Sequence, residues 1–169
     1  KFFERKEIKD VMSYIKTALN PENVSDFVRI INVPARGIGK VTLQKIIAGK
    51  ENELPDNTKV KINNFRKMLG DFKNLLSTQK PSESLKHIIQ ISGIENMYKT
   101  GLEEDTEKLE NVMELVSLAA EYDSLGVEEG MEKFLTDSAL MASDDSVDGG
   151  KNGVKLMTVH SSKGLEFDY

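Results

Sequence analysis

Apolar residues recur at helical spacing along most of this chain. In the first such stretch Ile8, Val11, Ile15 and Leu19 fall on one face, and Pro21 ends the helix because proline disfavours helical geometry in the residue before it. The same pattern predicts further helices over 26–33, 43–48, 63–76, 82–91, 104–122 and 127–140. We therefore predict a mainly α fold.

The two ends of the chain differ from this helical pattern. Residues 154–159 form an apolar run that leads directly into His160, which predicts a buried strand delivering polar side chains to a loop. We expect strands only at the two ends, where they would form a small α/β base. Residues 143–153 are polar and glycine-containing, and we predict a disordered loop there.

A single glycine, Gly93, follows the helix predicted over 82–91. Glycine readily adopts the left-handed conformation that ends many helices, so this position predicts a helix C-cap with Ile94 packed inside. The alternative, a phosphate-binding hairpin at this position, is disfavoured because a full hairpin would have two glycines and because Glu95 has the wrong charge for phosphate.

Charge is divided unevenly along the chain, although the formal net charge is only −5. Residues 1–102 carry 18 basic and 11 acidic side chains, whereas residues 103–150 carry 2 basic and 15 acidic ones. The first part could face phosphate, and the acidic part is expected to face solvent or a protein partner.

Several functional classes are disfavoured by composition. The chain has no cysteine, no apolar run long enough to cross a membrane and no signal peptide, which together indicate a cytoplasmic protein without membrane contact. No group of histidines or carboxylates has metal-ligand spacing, so no metal site is predicted.

The closing residues resemble a motor motif of the UvrD/PcrA/Rep-type superfamily 1 DNA helicases. Residues 154–167 read Val-Lys-Leu-Met-Thr-Val-His-Ser-Ser-Lys-Gly-Leu-Glu-Phe, similar to the family segment V/L-x-L-M-T-x-H-x-x-K-G-L-E-F. The opening residues 2–10, Phe-Phe-Glu-Arg-Lys-Glu-Ile-Lys-Asp, are similar to the segment that enters the second motor domain. Residues 106–115, Thr-Glu-Lys-Leu-Glu-Asn-Val-Met-Glu-Leu, are similar to the family's E-x-R-x-E-N-x-x-E-L segment, to which we assign a structural role.

This resemblance implies a domain organisation. We expect an excised fragment in which residues 1–20 and 154–169 are pieces of the RecA-like motor domain 2A. Residues 21–150 would form the helical accessory subdomain called 2B, which ends in the predicted loop at 143–153.

Residues 30–46 resemble a helix-hairpin-helix, with the hairpin at Gly37-Ile38-Gly39. Both glycines are expected to have positive φ and to let backbone amides approach a phosphate, while Ile38 pins the turn into the helix pair. A helix beginning near Lys40 would add its positive dipole end. The predicted duplex-DNA contacts are Arg36, Gly37, Ile38, Gly39, Lys40 and Thr42. The alternative is a tight helix–helix turn without a ligand.

The resemblance also implies contacts with single-stranded DNA and nucleotide. Thr158 and His160 match residues that contact the single strand, and Arg5 is expected to reach the same strand from the opening segment. Glu166 matches a residue near the ribose of ATP. No phosphate-binding loop of the G-x-x-x-x-G-K-[ST] type occurs in this sequence. We therefore predict no catalytic residues and no ATPase activity for the fragment, with ATP and Mg²⁺ as cofactors of the intact enzyme.

The function implied is that of part of an ATP-dependent 3′–5′ DNA helicase, with this chain supplying the duplex-binding and regulatory subdomain. The expected partners are duplex DNA, single-strand/duplex junctions, the remaining helicase domains, and repair or transcription proteins. One alternative is a protein-interaction or autoinhibitory module that docks through the acidic residues 103–150. Another is the equivalent region of a helicase-nuclease subunit.

Overall fold

The computed structural model describes residues 1–144, which form eight α-helices and contain no strand. Three short 3₁₀ segments, Phe2–Glu4, Glu51–Glu53 and Asp123–Leu125, precede or connect them. The helices are α1 (Lys6–Leu19), α2 (Val24–Ile30), α3 (Lys40–Ile47), α4 (Asp56–Thr78), α5 (Pro81–Ser92), α6 (Ile94–Tyr98), α7 (Glu103–Ala120) and α8 (Glu128–Asp144). The predicted mainly α fold is confirmed. No helix within the described part of the chain is long and apolar enough to span a membrane.

The predicted α/β base is not found at the N-terminal end. The opening residues form a 3₁₀ turn and then enter α1, and the adjacent Phe2 and Phe3 do not alternate with polar residues as they would in a strand. The strand predicted over 154–159 lies outside the described residues, and so does most of the loop predicted at 143–153. Residues 143 and 144 belong to α8, which therefore extends further than predicted.

The first helix lies at the centre of the bundle. It packs against α2, α4, α5 and α7, and it buries Ile8, Val11, Tyr14 and Ile15 completely. These residues belong to the same hydrophobic core as those of the later helices. The division of the chain between motor domain and accessory subdomain at residue 20 thus stays a prediction, and no gap in packing accompanies it.

Edge-to-face aromatic contacts join α1, α2 and α4. The ring centroid of Tyr14 lies 6.2 Å from that of Phe65 and 6.0 Å from that of Phe72, and Phe27 lies 5.6 Å from Phe65. Such pairs add to the stabilisation that burial alone gives. They fix α4 against the first two helices, beside the turn that leads into α3.

Both ends of α5 are fixed by local chemistry. Asp123 accepts hydrogen bonds from the backbone amide of Ser82 (3.0 Å) and from its hydroxyl (2.6 Å), which caps the helix N-terminus. Gly93 has φ 90° and forms the C-cap, and Ile94 beyond it is fully buried. The C-cap predicted at Gly93 is confirmed.

A buried acid on α1 gives the fold a pH dependence. Asp10 is 2% exposed; its Oδ1 lies 2.7 Å from the Arg29 guanidinium, and its Oδ2 is buried without a hydrogen-bond partner among the described residues. Burial raises the pKa of the Asp10 carboxyl, because lost hydration outweighs the opposing effect of Arg29. The native state therefore holds this proton more tightly than the unfolded chain does.

We expect Asp10 to contribute most to stability below its unfolded pKa of about 3.9, and to lose that contribution as pH rises through its higher folded pKa. Urea unfolding of the wild type and of Asp10→Asn from about pH 4 to about pH 7 measures this. The stability difference should shift in favour of the Asn variant as pH rises. A difference that shifts toward the wild type would contradict the assignment.

Candidate nucleic-acid interface

The turn between α2 and α3 is closed by a side chain. Asn32 Oδ1 accepts hydrogen bonds from the backbone amides of Arg36 (2.7 Å) and Ile38 (3.2 Å). Sequence reasoning missed this residue, although asparagine commonly closes turns by bonding to nearby amides. The contact fixes the path of residues 32–38, from which the candidate site is built.

The two glycines of the turn have different backbone conformations. Gly37 has φ 71°, in the left-handed region, whereas Gly39 has φ −86° and ψ 175°, an ordinary extended conformation. The prediction of positive φ at both positions is therefore wrong for Gly39. One left-handed residue is enough because Asn32 closes the turn and the chain then runs extended into α3. Ile38 is only 3% exposed and belongs to the core, which confirms that it pins the turn.

The N-terminus of α3 faces outward and is uncapped. Gly39 is its N-cap residue, with no side-chain hydrogen bond to the helix, and the first turn contains no acidic residue. The first backbone bond within the helix runs from Leu43 N to Gly39 O (3.0 Å), which leaves the amides before it without an intrahelical acceptor. Lys40 is exposed here and Thr42 is half-buried. A Cβ added at Gly39 would meet nothing within 4 Å, so the approach is open.

A second basic residue reaches this turn from α4. The Nζ atom of Lys61 lies 3.0 Å from the point that a Cβ on Gly37 would occupy. Lys61 is exposed, and neither it nor Lys40 takes part in the ion pairs found within residues 1–144. Sequence reasoning missed Lys61 because no local pattern relates α4 to the turn. Lys61 and Lys40 thus bring two positive charges to the turn and to the first residue of α3.

Arg36 has a different position from the one that the sequence predicts. Its guanidinium turns into the domain, where it lies 4.9 Å from the centre of the Phe65 ring and donates hydrogen bonds to backbone carbonyls. It is therefore occupied inside the protein and does not project toward a ligand. The sequence pattern could not show this, because the Ser92 carbonyl and the Phe65 ring lie far from Arg36 along the chain.

The helix α3 is only partly covered by the core. None of the residues of α3 is buried, and its Leu43 and Ile46 are only partly covered by the core. A groove of about 470 Å³ separates the face carrying Ile46 and Ile47 from Phe27 and Leu69. The position of the α3 N-terminus depends on the turn before it more than on packing along its length.

Arg5 lies at the other end of the bundle. It donates a short hydrogen bond to Asn111 Oδ1 on α7, and its guanidinium lies 5.7 Å from the centre of the Phe2 ring. Asn111 Nδ2 donates in turn to Glu7 Oε1 at 2.8 Å. The other residues predicted to contact single-stranded DNA or nucleotide, Thr158, His160 and Glu166, lie outside the described residues. Their contact with the same strand as Arg5 stays a prediction.

Acidic side chains occupy another part of the surface. Glu128, Glu129 and Glu132 in the first turns of α8 are exposed, as are several glutamates of α7. Lys108 is engaged by two acids of its own helix, Glu104 at 2.6 Å and Asp105 at 3.5 Å. No group of histidines and carboxylates among residues 1–144 is arranged to hold a metal ion. This surface remains the candidate for a protein partner.

Comparison with known proteins relates the whole chain to one family. The sequence profile of the UvrD-like helicase C-terminal domain matches residues 1–169. The ATP-dependent DNA helicase PcrA of Bacillus subtilis strain 168 is 32% identical over 189 residues, which cover 99% of this chain and 26% of that protein. PcrA of Staphylococcus epidermidis is 35% identical over 188 residues, with 99% and 25% covered. The chain thus spans about a quarter of the length of these relatives. It belongs to the family of UvrD-like helicase C-terminal domains.

Proposed function

We propose that this chain is the duplex-DNA-binding accessory subdomain, 2B, of an ATP-dependent 3′–5′ DNA helicase, with residues 1–20 and 154–169 belonging to motor domain 2A. The proposal is supported by the family match and by relatives that carry the name ATP-dependent DNA helicase. The intact enzyme would use ATP and Mg²⁺ in the cytoplasm. The isolated chain, without a phosphate-binding loop in its sequence, would be inactive as an ATPase.

The observation that carries the duplex-binding role is the open, uncapped N-terminus of α3, with Lys40 as its first residue and Lys61 beside the preceding turn. Unpaired amides and the helix dipole at that point favour an anion, and Lys40 and Lys61 add charge from two different helices. A DNA phosphate fits this combination. Contacts of this kind position a duplex without reading its sequence.

The proposed contact set differs from the sequence-based one at three positions, Arg36, Ile38 and Lys61. Gly37, Gly39, Lys40 and Thr42 form the surface that meets phosphate, with Ile38 anchoring it from inside. Lys61 is added, and Arg36 is moved from ligand contact to the support of the turn.

For single-stranded DNA we propose Thr158, His160 and Arg5, with Glu166 near the ribose of ATP in the intact enzyme. The resemblance of residues 154–167 and 2–10 to motor motifs supports this part of the proposal. The remaining helicase domains would be partners in the same polypeptide, and single-strand/duplex junctions would be the substrate. Repair or transcription proteins are further proposed partners.

Gly39→Asp tests duplex binding. We expect about tenfold weaker binding, or more, to a labelled duplex with a 3′ single-stranded tail, because the new carboxylate would face the phosphate. The fold should be preserved, since the site has open space, an ordinary φ and an N-cap position that aspartate favours. Fluorescence anisotropy at several salt concentrations provides the measurement, and wild-type affinity should fall steeply with salt.

Ser117→Asp is the matched control. It adds the same charge at an exposed position on α7, away from the turn, and should leave affinity nearly unchanged. Equal, weak binding by wild type and Gly39→Asp would contradict the duplex anchor. That outcome would favour the alternative, a regulatory or protein-binding module that docks through Glu128, Glu129 and Glu132.

A further inference from the structure

We propose that Arg36 and Tyr14 are positioning residues, which hold the turn at 32–39 and the N-terminus of α3 in the geometry that accepts phosphate without touching DNA themselves. This inference rests on the duplex-binding function proposed above. It assigns a role in that function to Tyr14, a fully buried residue of α1 in the segment predicted to belong to the motor domain.

Arg36 connects the turn to the ends of α2 and α5. Its Nη1 donates to the carbonyl oxygens of Ile30 (3.2 Å), Ile31 (3.3 Å) and Pro34 (3.1 Å), at the C-terminal end of α2 and in the turn. Its Nη2 donates to the carbonyl of Ser92 (3.0 Å), at the end of α5. The planar guanidinium thus gathers carbonyl groups from both sides of the turn, and those of Ile30, Ile31 and Ser92 lie at helix C-terminal ends, where a cation is favoured.

Tyr14 completes the arrangement from α1. Its hydroxyl accepts a hydrogen bond from Arg36 Nη2 (2.8 Å) and donates one to the carbonyl of Val33. Burial raises the pKa of Tyr14 to about 12, so the hydroxyl keeps its proton and remains a donor at neutral pH. The side chain is fully buried and cannot contact DNA.

The turn needs these hydrogen bonds because α3 itself packs only weakly against the core. No residue of α3 is buried, and the groove of about 470 Å³ lies beneath Ile46 and Ile47. Side-chain contacts before the helix must therefore set the direction in which its N-terminal amides point. Ile38 fixes one point of the turn in the core, and the Arg36–Tyr14 pair fixes the stretch before it.

Lysine cannot replace the arginine in this role, although it keeps the charge. A lysine ammonium is a compact point charge with three donors, whereas the guanidinium is a planar fork that reaches several acceptors and stacks on an aromatic ring at once. A direct phosphate contact, in contrast, would be largely retained by lysine. Arg36→Lys therefore separates positioning from contact.

The experiment compares duplex affinity and its salt dependence for the full chain as wild type, Arg36→Lys, Tyr14→Phe and Gly39→Asp. Measurements are made well below the unfolding midpoint of each protein, with helicity checked by circular dichroism. We expect affinity to fall about tenfold for Arg36→Lys and severalfold for Tyr14→Phe. Tyr14→Phe removes only the hydroxyl oxygen and is the milder change. It therefore still tests the proposal if Arg36→Lys does not fold.

The outcomes separate this inference from the proposed function. Loss of affinity in folded Tyr14→Phe supports positioning, because a buried residue with only a structural role would lower the midpoint of unfolding and leave the affinity of the folded protein unchanged. If Gly39→Asp impairs binding but folded Arg36→Lys and Tyr14→Phe bind like wild type, positioning is overturned and the duplex anchor stands. If Gly39→Asp binds like wild type, the duplex anchor itself fails.

Discussion

Replacing Asn111 by leucine is expected to lower the free energy of unfolding by roughly 3 kcal/mol. Asn111 is buried on α7, and its Nδ2 donates the only hydrogen bond found for the 5%-exposed Glu7 carboxylate within residues 1–144. Leucine is similar in volume but has no donor. It would leave a charged group buried without a partner, which costs more than the loss of the bond itself.

A double-mutant cycle measures this contact. Urea unfolding would be compared for wild type, Asn111→Leu, Glu7→Leu and the double variant. Because apolar replacement of both partners removes the unpaired charge, the double variant should recover much of the stability lost by Asn111→Leu. Simple addition of the two single losses would contradict the view that Asn111 acts by compensating Glu7.

Adding one methyl group at Gly130 is expected to lower the free energy of unfolding by about 2 kcal/mol. A Cβ at this position would lie 2.6 Å from the carbonyl oxygen of Tyr122 and 3.1 Å from the Pro81 ring. Neither neighbour is the flexible end of a side chain, so α8 would have to move away from α5. Thermal and urea unfolding of Gly130→Ala would measure the loss.

Gly70→Ala is the matched control for that substitution. Gly70 lies exposed within α4, and a Cβ there would meet nothing within 4 Å. Alanine has the better helix propensity, so this variant should gain about 0.5–1 kcal/mol. Unchanged stability of Gly130→Ala would show that α8 does not approach α5 as closely as described.

The sequence predicts helices well where a wide apolar face and a clear end occur together. Pro21 follows α1 and Gly93 follows α5, and the predicted bounds of both helices lie close to the observed ones. The start of α4 is missed by seven residues, since its first turns bury only Ile62 and leave Val60 exposed. The five residues of α6 are too few to give a periodic signal.

The candidate site is predictable only where it is local in sequence. Gly37, Ile38 and Lys40 lie within four positions of one another, and a short motif can indicate their shared role. Lys61 comes from another helix, and the inward direction of Arg36 depends on acceptors as distant as Ser92. Composition predicts that the region is basic, but the tertiary fold decides which cations face outward.

The central position of α1 has a consequence for biosynthesis. Its apolar face packs against α7, whose residues leave the ribosome roughly a hundred positions later, a delay on the order of 5–20 s at ordinary rates of translation. Until then Ile8, Val11 and Ile15 have only part of their final surroundings. The nascent chain would thus display an incompletely covered apolar helix, a surface suited to chaperones, for most of the time that this region takes to be made.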